Sequence, residues 1–162
     1  MARKRVFHLS LCTFLITSLF FRGFEAGVCP ENWIQNQNSC FGVILQKLSW
    51  PEAEIDCQTY GKHGHLASFQ TKSEWDLVAK YVVANFKDVE DIWVGLEDSR
   101  RTRQWTWVDR TPLTFFPWNI GEPNNKGGKE YCAHTTIGEG YKKLNDANCE
   151  IFKSYLCKSR LL

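Results

Sequence analysis

At 162 residues the chain suits one domain with a proper core and is short for two. Its 20 basic residues nearly balance 18 acidic ones, a formal charge of +2, which gives no basic footprint for a nucleic acid.

The first element in chain order is an expected leader. Arg3, Lys4 and Arg5 head a largely apolar run from Val6 to Phe21, followed by the small residues Gly23, Ala26 and Gly27. A basic head, a short apolar run and a small-residue exit describe a secretory signal peptide over residues 1–26, cut near 26/27, with one domain over residues 27–162. A membrane anchor is the competing reading. The run is broken by His8, Ser10, Thr13, Thr17 and Ser18, and at about 16 residues it is short for a span, so no membrane insertion is expected. The leader takes Arg3, Lys4, Arg5 and Arg22 with it against Glu25 alone, so 20 basic and 18 acidic residues become 16 and 17, a net charge of −1. Cys12 leaves too. Cys29, Cys40, Cys57, Cys132, Cys149 and Cys157 remain, an even number in a secreted domain, and a disulfide framework is expected. Six cysteines allow about 15 pairings, and spacing chooses none of them. A zinc site is the weaker reading, since the sequence has no CxxC pair.

Phe41 to Leu45 reads as a strand. Ser49, Pro51 and Glu52 then make a capping box with proline in the first turn, and Trp50, Ala53, Cys57 and Tyr60 recur at helical spacing until Gly61. Thr71 and Glu74 open a second helix whose Trp75, Val78 and Val82 share one face, ending by Asn85 or Lys87. From Ile92 the pattern turns to strand. Ile92–Leu96 reads as buried, and Gln104–Val108 alternates with Trp105 and Trp107 on one face. Glu130–Ile137, Tyr141–Leu144 and Tyr155–Lys158 read as further short strands. Two early helices followed by antiparallel strands give an α+β domain. Thr111 to Lys129 has neither period, and Pro117, Trp118 and Pro123 argue for a packed functional loop.

In and after that loop stand Glu122, Asn124, Glu130, Asn145 and Asp146. Carboxylate and amide oxygens suit a hard cation such as calcium, which takes about six to eight of them and leaves positions that two adjacent sugar hydroxyls can complete. Each hydroxyl can also donate to a carboxylate and accept from an amide NH₂, which calls for both side-chain types around the ion. Pro123 between Glu122 and Asn124 suits a cis peptide. A polar loop that merely caps its own turns is the plainer alternative.

These residues carry a resemblance. Trp93-Val94-Gly95-Leu96, Glu122-Pro123-Asn124 and Leu144-Asn145-Asp146, with Cys29-Pro30 and His65-Leu66-Ala67-Ser68, make the chain from about Cys29 to Cys157 similar to C-type lectins, in particular the short lectins of snake venoms and regenerating-type lectins. The resemblance implies the C-type lectin-like fold, with two helices on antiparallel strands and a long calcium- and sugar-binding loop. It implies the disulfides Cys29–Cys40, Cys57–Cys157 and Cys132–Cys149. It also implies a calcium site of Glu122, Asn124, Glu130, Asn145 and Asp146, with the same five residues as the sugar-binding set. Glu-Pro-Asn implies mannose-type glycans on glycoproteins or cell surfaces: mannose, glucose, N-acetylglucosamine and fucose.

Three departures from the family pattern sharpen the expectation. Leu144 replaces the usual tryptophan of the Trp-Asn-Asp motif, at a packing position. Asp98 stands where an auxiliary calcium would be held, but Thr102, Asn125 and Tyr131 replace acids there, so one Ca²⁺ is expected. The segment Arg110–Leu113 has no extra cysteine, so the protein is expected as a monomer or a non-covalent oligomer without an interchain disulfide.

Other signals carry less. Arg100, Arg101 and Arg103 read as a solvated turn, Asp98 as a turn residue, His63 and His65 as surface or hydrogen-bonded histidines, and His134 as structural. Glu122 with Glu130 resembles a glycosidase pair, but acids that hold calcium are ionised and cannot donate a proton, so no enzyme is expected. The reading is therefore a secreted calcium-dependent lectin, able to agglutinate cells if multivalent. The alternative is a toxin-like interaction module that grips a protein target while sugar binding is vestigial.

Overall fold

The computed structural model describes residues 27–161, and the expected leader over residues 1–26 lies outside them. Strand β1 (Ile34–Asn36) forms a hairpin with β2 (Ser39–Leu48). Helix α1 (Trp50–Cys57) follows, entered through Ser49, whose amide donates to Glu52 Oε2 at 3.1 Å. That bond satisfies an otherwise free amide at the helix start, which is why the Ser-x-x-Glu spacing nucleates a helix here. The indole of Trp50 donates to the Val94 carbonyl at 2.8 Å and pins α1 to the sheet.

After the short β3 (His65–Leu66), helix α2 (Lys72–Asn85) starts at Thr71, whose hydroxyl accepts from the Glu74 amide at 3.2 Å. The Glu74 carboxylate takes the Gln70 amide at 2.9 Å and faces Lys158 at 3.3 Å, so one side chain both starts the helix and ties it to the last strand. Trp75, Val78, Ala79 and Val82 are the face of α2 that is buried.

The remaining strands are β4 (Ile92–Glu97), β5 (Thr106–Trp107), β6 (Cys132–Thr135), β7 (Leu144–Ala147) and β8 (Lys153–Arg160). They join the sheet in the order β1-β2-β8-β4-β6-β7, with β3 on β8 and β5 on β4. All pairings are antiparallel except β4 with β8, where Ile92 lies opposite Ser154 in a parallel pair, so the sheet is mixed. Gly95 explains itself at this crowded centre: a Cβ there would stand 2.4 Å from the Leu66 carbonyl oxygen.

Two buried clusters flank the sheet. One packs Phe41, Phe69, Trp75, Val78, Ile92, Val94 and Trp107, and the other packs Trp50, Cys57, Leu66, Trp93 and Tyr155. Three disulfides join Cys29 to Cys40, Cys57 to Cys157 and Cys132 to Cys149. Among the described residues no helix is long and apolar enough to cross a membrane.

Three strands differ from the sequence reading, and the one expected at Glu130–Ile137 is held to Cys132–Thr135, with Ile137 in a tight helical turn. The strand expected at Gln104–Val108 contracts to Thr106–Trp107, the two residues that pair with Glu97 and Leu96, and the Trp105 ring meets Trp118 edge-on at 4.8 Å. The strand expected at Tyr141–Leu144 begins only at Leu144. Gly140 and Tyr141 are left-handed (φ 59° and 58°) and close a turn in which the Tyr141 amide donates to Thr136 O at 3.0 Å. Pairing with β6 then runs from Thr135↔Leu144 to Cys132↔Ala147, which places Asn145 and Asp146 within a strand.

Candidate calcium and sugar site

Strand β7 supports the long loop at both of its ends. On the outgoing side Leu144 N donates to Pro117 O and Asn119 N donates to Leu144 O, each at 2.8 Å. On the return Tyr131 N donates to Ala147 O at 3.1 Å, and the Cys132–Cys149 disulfide closes the same region. Between these stems a turn brings Glu122 N to Asn119 O at 3.0 Å, and the Glu122–Pro123 peptide is cis.

Glu122, Asn124 and Asp146 meet directly. Asn124 Nδ2 donates to Glu122 Oε1 at 2.9 Å, and its backbone amide donates to Glu122 Oε2 and to Asp146 Oδ1, each at 3.0 Å. Asp146 is fully buried, and its Oδ2 also takes the Asn125 amide at 2.8 Å. Glu130 joins less directly: its amide donates to Asn125 Oδ1 at 3.0 Å, while its carboxylate turns to the Lys126 amide at 2.6 Å. Among the described residues no three His, Cys, Asp or Glu side chains gather as a ready-made metal cluster. The candidate set is therefore a mixed one, in which amide oxygens must supplement the carboxylates.

Asn145 shows how such an oxygen is aimed. His134 Nδ1 lies 3.0 Å from its neighbour Thr135 O, which places the ring hydrogen on Nδ1 and leaves Nε2 as an acceptor. Burial and then the charge of Lys153 hold the His134 pKa below its ordinary value, which favours this neutral ring. Asn145 Nδ2 faces that bare nitrogen at 3.3 Å. The Asn145 carbonyl oxygen is left buried with no hydrogen-bond donor. A buried acceptor without a partner is costly, and a cation beside it would supply one. The acidic side of the site points the same way: burial, and then Asp146 beside it, push the Glu122 pKa up. A cation would relieve that crowding. These residues thus fit a calcium ion chemically, with oxygen donors of the type it prefers.

The sequence reading assigned the five candidates but missed what holds them. Arg103, read as part of a solvated turn, donates through Nη2 to Pro123 O at 2.6 Å and lies 3.4 Å from Asp146 Oδ2 through Nη1. Twenty residues separate Arg103 from Pro123, and no local pattern announces the contact. Asp98 is a turn residue as expected: buried, it accepts the Thr102 amide at 3.0 Å and the Arg103 amide at 2.8 Å. His134 is structural, and its contact with Asn145 needed the β6–β7 register to be seen.

Comparison with known proteins shows the family and the fold. A family model described as the lectin C-type domain matches residues 46–159. The C-type lectin BfL-2 of Bungarus fasciatus is 37% identical over 152 residues, covering 94% of this chain and 96% of the relative. A protein of Oxyuranus scutellatus named as the mannose-binding isoform of a C-type lectin is 36% identical over 132 residues, covering 82% of this chain and 84% of the relative. Among solved structures, human lithostathine superposes with a TM-score of 0.76 at 29% identity, covering 82% of this chain and 99% of its own. The mixed sheet, the loop clasped by β7 and these matches agree, and the chain belongs to the C-type lectin family.

Proposed function

We propose that the protein is a secreted, calcium-dependent lectin of mannose type. The observation that carries the reading is the Asn145 oxygen, buried without a donor on the strand that also carries Asp146, which meets the Asn124 amide. Membership of the C-type lectin family and a relative named as mannose-binding support it. Glu122, Asn124, Glu130, Asn145 and Asp146 would hold the ion, and Glu130 would first have to leave the Lys126 amide. Bound calcium supplies the open coordination positions that two neighbouring sugar hydroxyls complete. The side chains do the rest: Glu122 and Glu130 accept the hydroxyl hydrogens, and the Asn124 and Asn145 amides donate to the hydroxyl oxygens. With few sugar atoms covered, each site binds weakly, and agglutination requires several sites on one particle.

Retention on mannose-agarose with millimolar calcium, and release by EDTA, is the direct test. Combining Glu122→Gln with Asn124→Asp exchanges an acceptor for a donor and a donor for an acceptor, and retention on mannose should fall at least about tenfold. No retention on mannose, together with an activity on a protein target that ignores both EDTA and the double substitution, would instead favour an interaction module. Acid gives a second readout. Protons compete with calcium for carboxylates. Glu122, with its pKa raised, is ionised above that raised value and gains its proton as pH falls through it. Sugar retention should therefore fade on acidification before pH reaches about 4, the ordinary carboxylate range. Full retention at that pH would contradict the reading.

A further inference from the structure

We propose that Arg103 is a cation built into the protein that fastens the candidate binding loop, so that the loop keeps its shape without a metal. The proposal rests on the lectin reading only for calling this the binding loop, because the fastening itself is a matter of the chain's own contacts.

The turn that carries Arg103 is over-determined. The buried Asp98 carboxylate takes the amides of Thr102 and Arg103, and the Asp98 amide donates back to Tyr131 O at 2.8 Å. Arg101 and Arg103 both sit in the left-handed region, at φ 56° and 63°. Long side chains avoid that region unless the surroundings impose it. The result sends the Arg103 guanidinium across to the carbonyl of Pro123, between two candidate ligands, and alongside Asp146. A buried carboxylate is costly without charge-assisted partners, and Asp146 has the guanidinium together with the amides of Asn124 and Asn125. The planar fork of arginine can serve a carbonyl and a carboxylate at once, which the single ammonium of lysine does less well.

The other limb of the loop is held from the same turn. The Arg101 guanidinium lies over the Tyr131 ring at 4.9 Å, and the Tyr131 hydroxyl donates to Gly128 O at 2.7 Å. Both limbs are thus tied to one short segment, and neither tie uses a metal ion.

The test is amide hydrogen exchange on the full domain in EDTA, comparing wild type with Arg103→Gln and Arg103→Lys. The amides of Asn124 and Asn125 should exchange about tenfold faster in R103Q, the loss of one charged hydrogen bond, and to an intermediate degree in R103K. Amides of β4 should be unchanged. Equal exchange in all three proteins would overturn the proposal, and so would acceleration that spreads equally to β4. Acceleration confined to the loop, in a protein that never retains mannose, would uphold the fastening and sink only the lectin reading.

Discussion

Replacing Asp146 with alanine should lower the unfolding free energy by about 2–4 kcal/mol, the cost of stranding donors that now have a buried acceptor. Asp146 receives the amides of Asn124 and Asn125 and the Arg103 guanidinium. The guanidinium is partly exposed and contributes little of this on its own. Most of the loss comes from the Asn125 backbone amide, which gives up its acceptor, while the Asn124 amide keeps only Glu122 Oε2 at 3.0 Å. Asp146→Asn keeps one acceptor oxygen and should recover part of the loss. Denaturant unfolding of the three proteins in EDTA measures this directly, apart from any metal. A loss below about 1 kcal/mol in the alanine variant would show that the amides re-pair with water and that the network adds little. Under the proposed function, calcium-dependent retention on mannose should vanish in the alanine variant in either case.

Removing the Cys57–Cys157 disulfide, by replacing both cysteines with alanine, should cost more. The two half-cystines are fully buried and enclose a sequence separation of 100 residues. Chain entropy alone assigns such a loop about 4.7 kcal/mol. The same treatment of Cys132 and Cys149, 17 residues apart, should cost about 3 kcal/mol. The comparison discriminates because both bridges lie in the same folded domain. Denaturant midpoints that fall in the opposite order would mean that local packing, and not the size of the closed loop, sets the contribution.

The sequence shows the helices clearly, because their starts are local chemistry: Ser49 with Glu52 and Thr71 with Glu74 are three residues apart and need nothing from elsewhere. Ile92–Leu96 is legible for a similar reason, since an uninterrupted apolar run has one burial outcome. The misplaced strands share a different cause. Trp105 has the alternation of a strand residue, but only Thr106 and Trp107 pair with β4, and the Trp105 ring meets Trp118, a partner 13 positions away. Leu144–Ala147 carries the weak pattern Leu-Asn-Asp-Ala, and its strand character comes from pairing with β6. The five candidate ligands stand out by type, since acids and amides crowd a segment without periodicity. Their supports do not: Arg103 and His134 act across the fold, and only the register of β6 on β7 and the turn at Asp98 bring them into reach.

The clasp of the long loop on β7 has a consequence for how this protein can change. Pro117, Asn119 and Tyr131 are all bonded to the same four-residue strand. The tip between them can therefore be rebuilt while its two anchor points stay a fixed distance apart. Entropy penalises added length only slowly in a loop whose ends are already held. The side chains from Ile120 to Lys129 are in that sense a replaceable part, seated on β7, and recognition can diverge there provided the backbone bonds to Asp146 and Arg103 are kept.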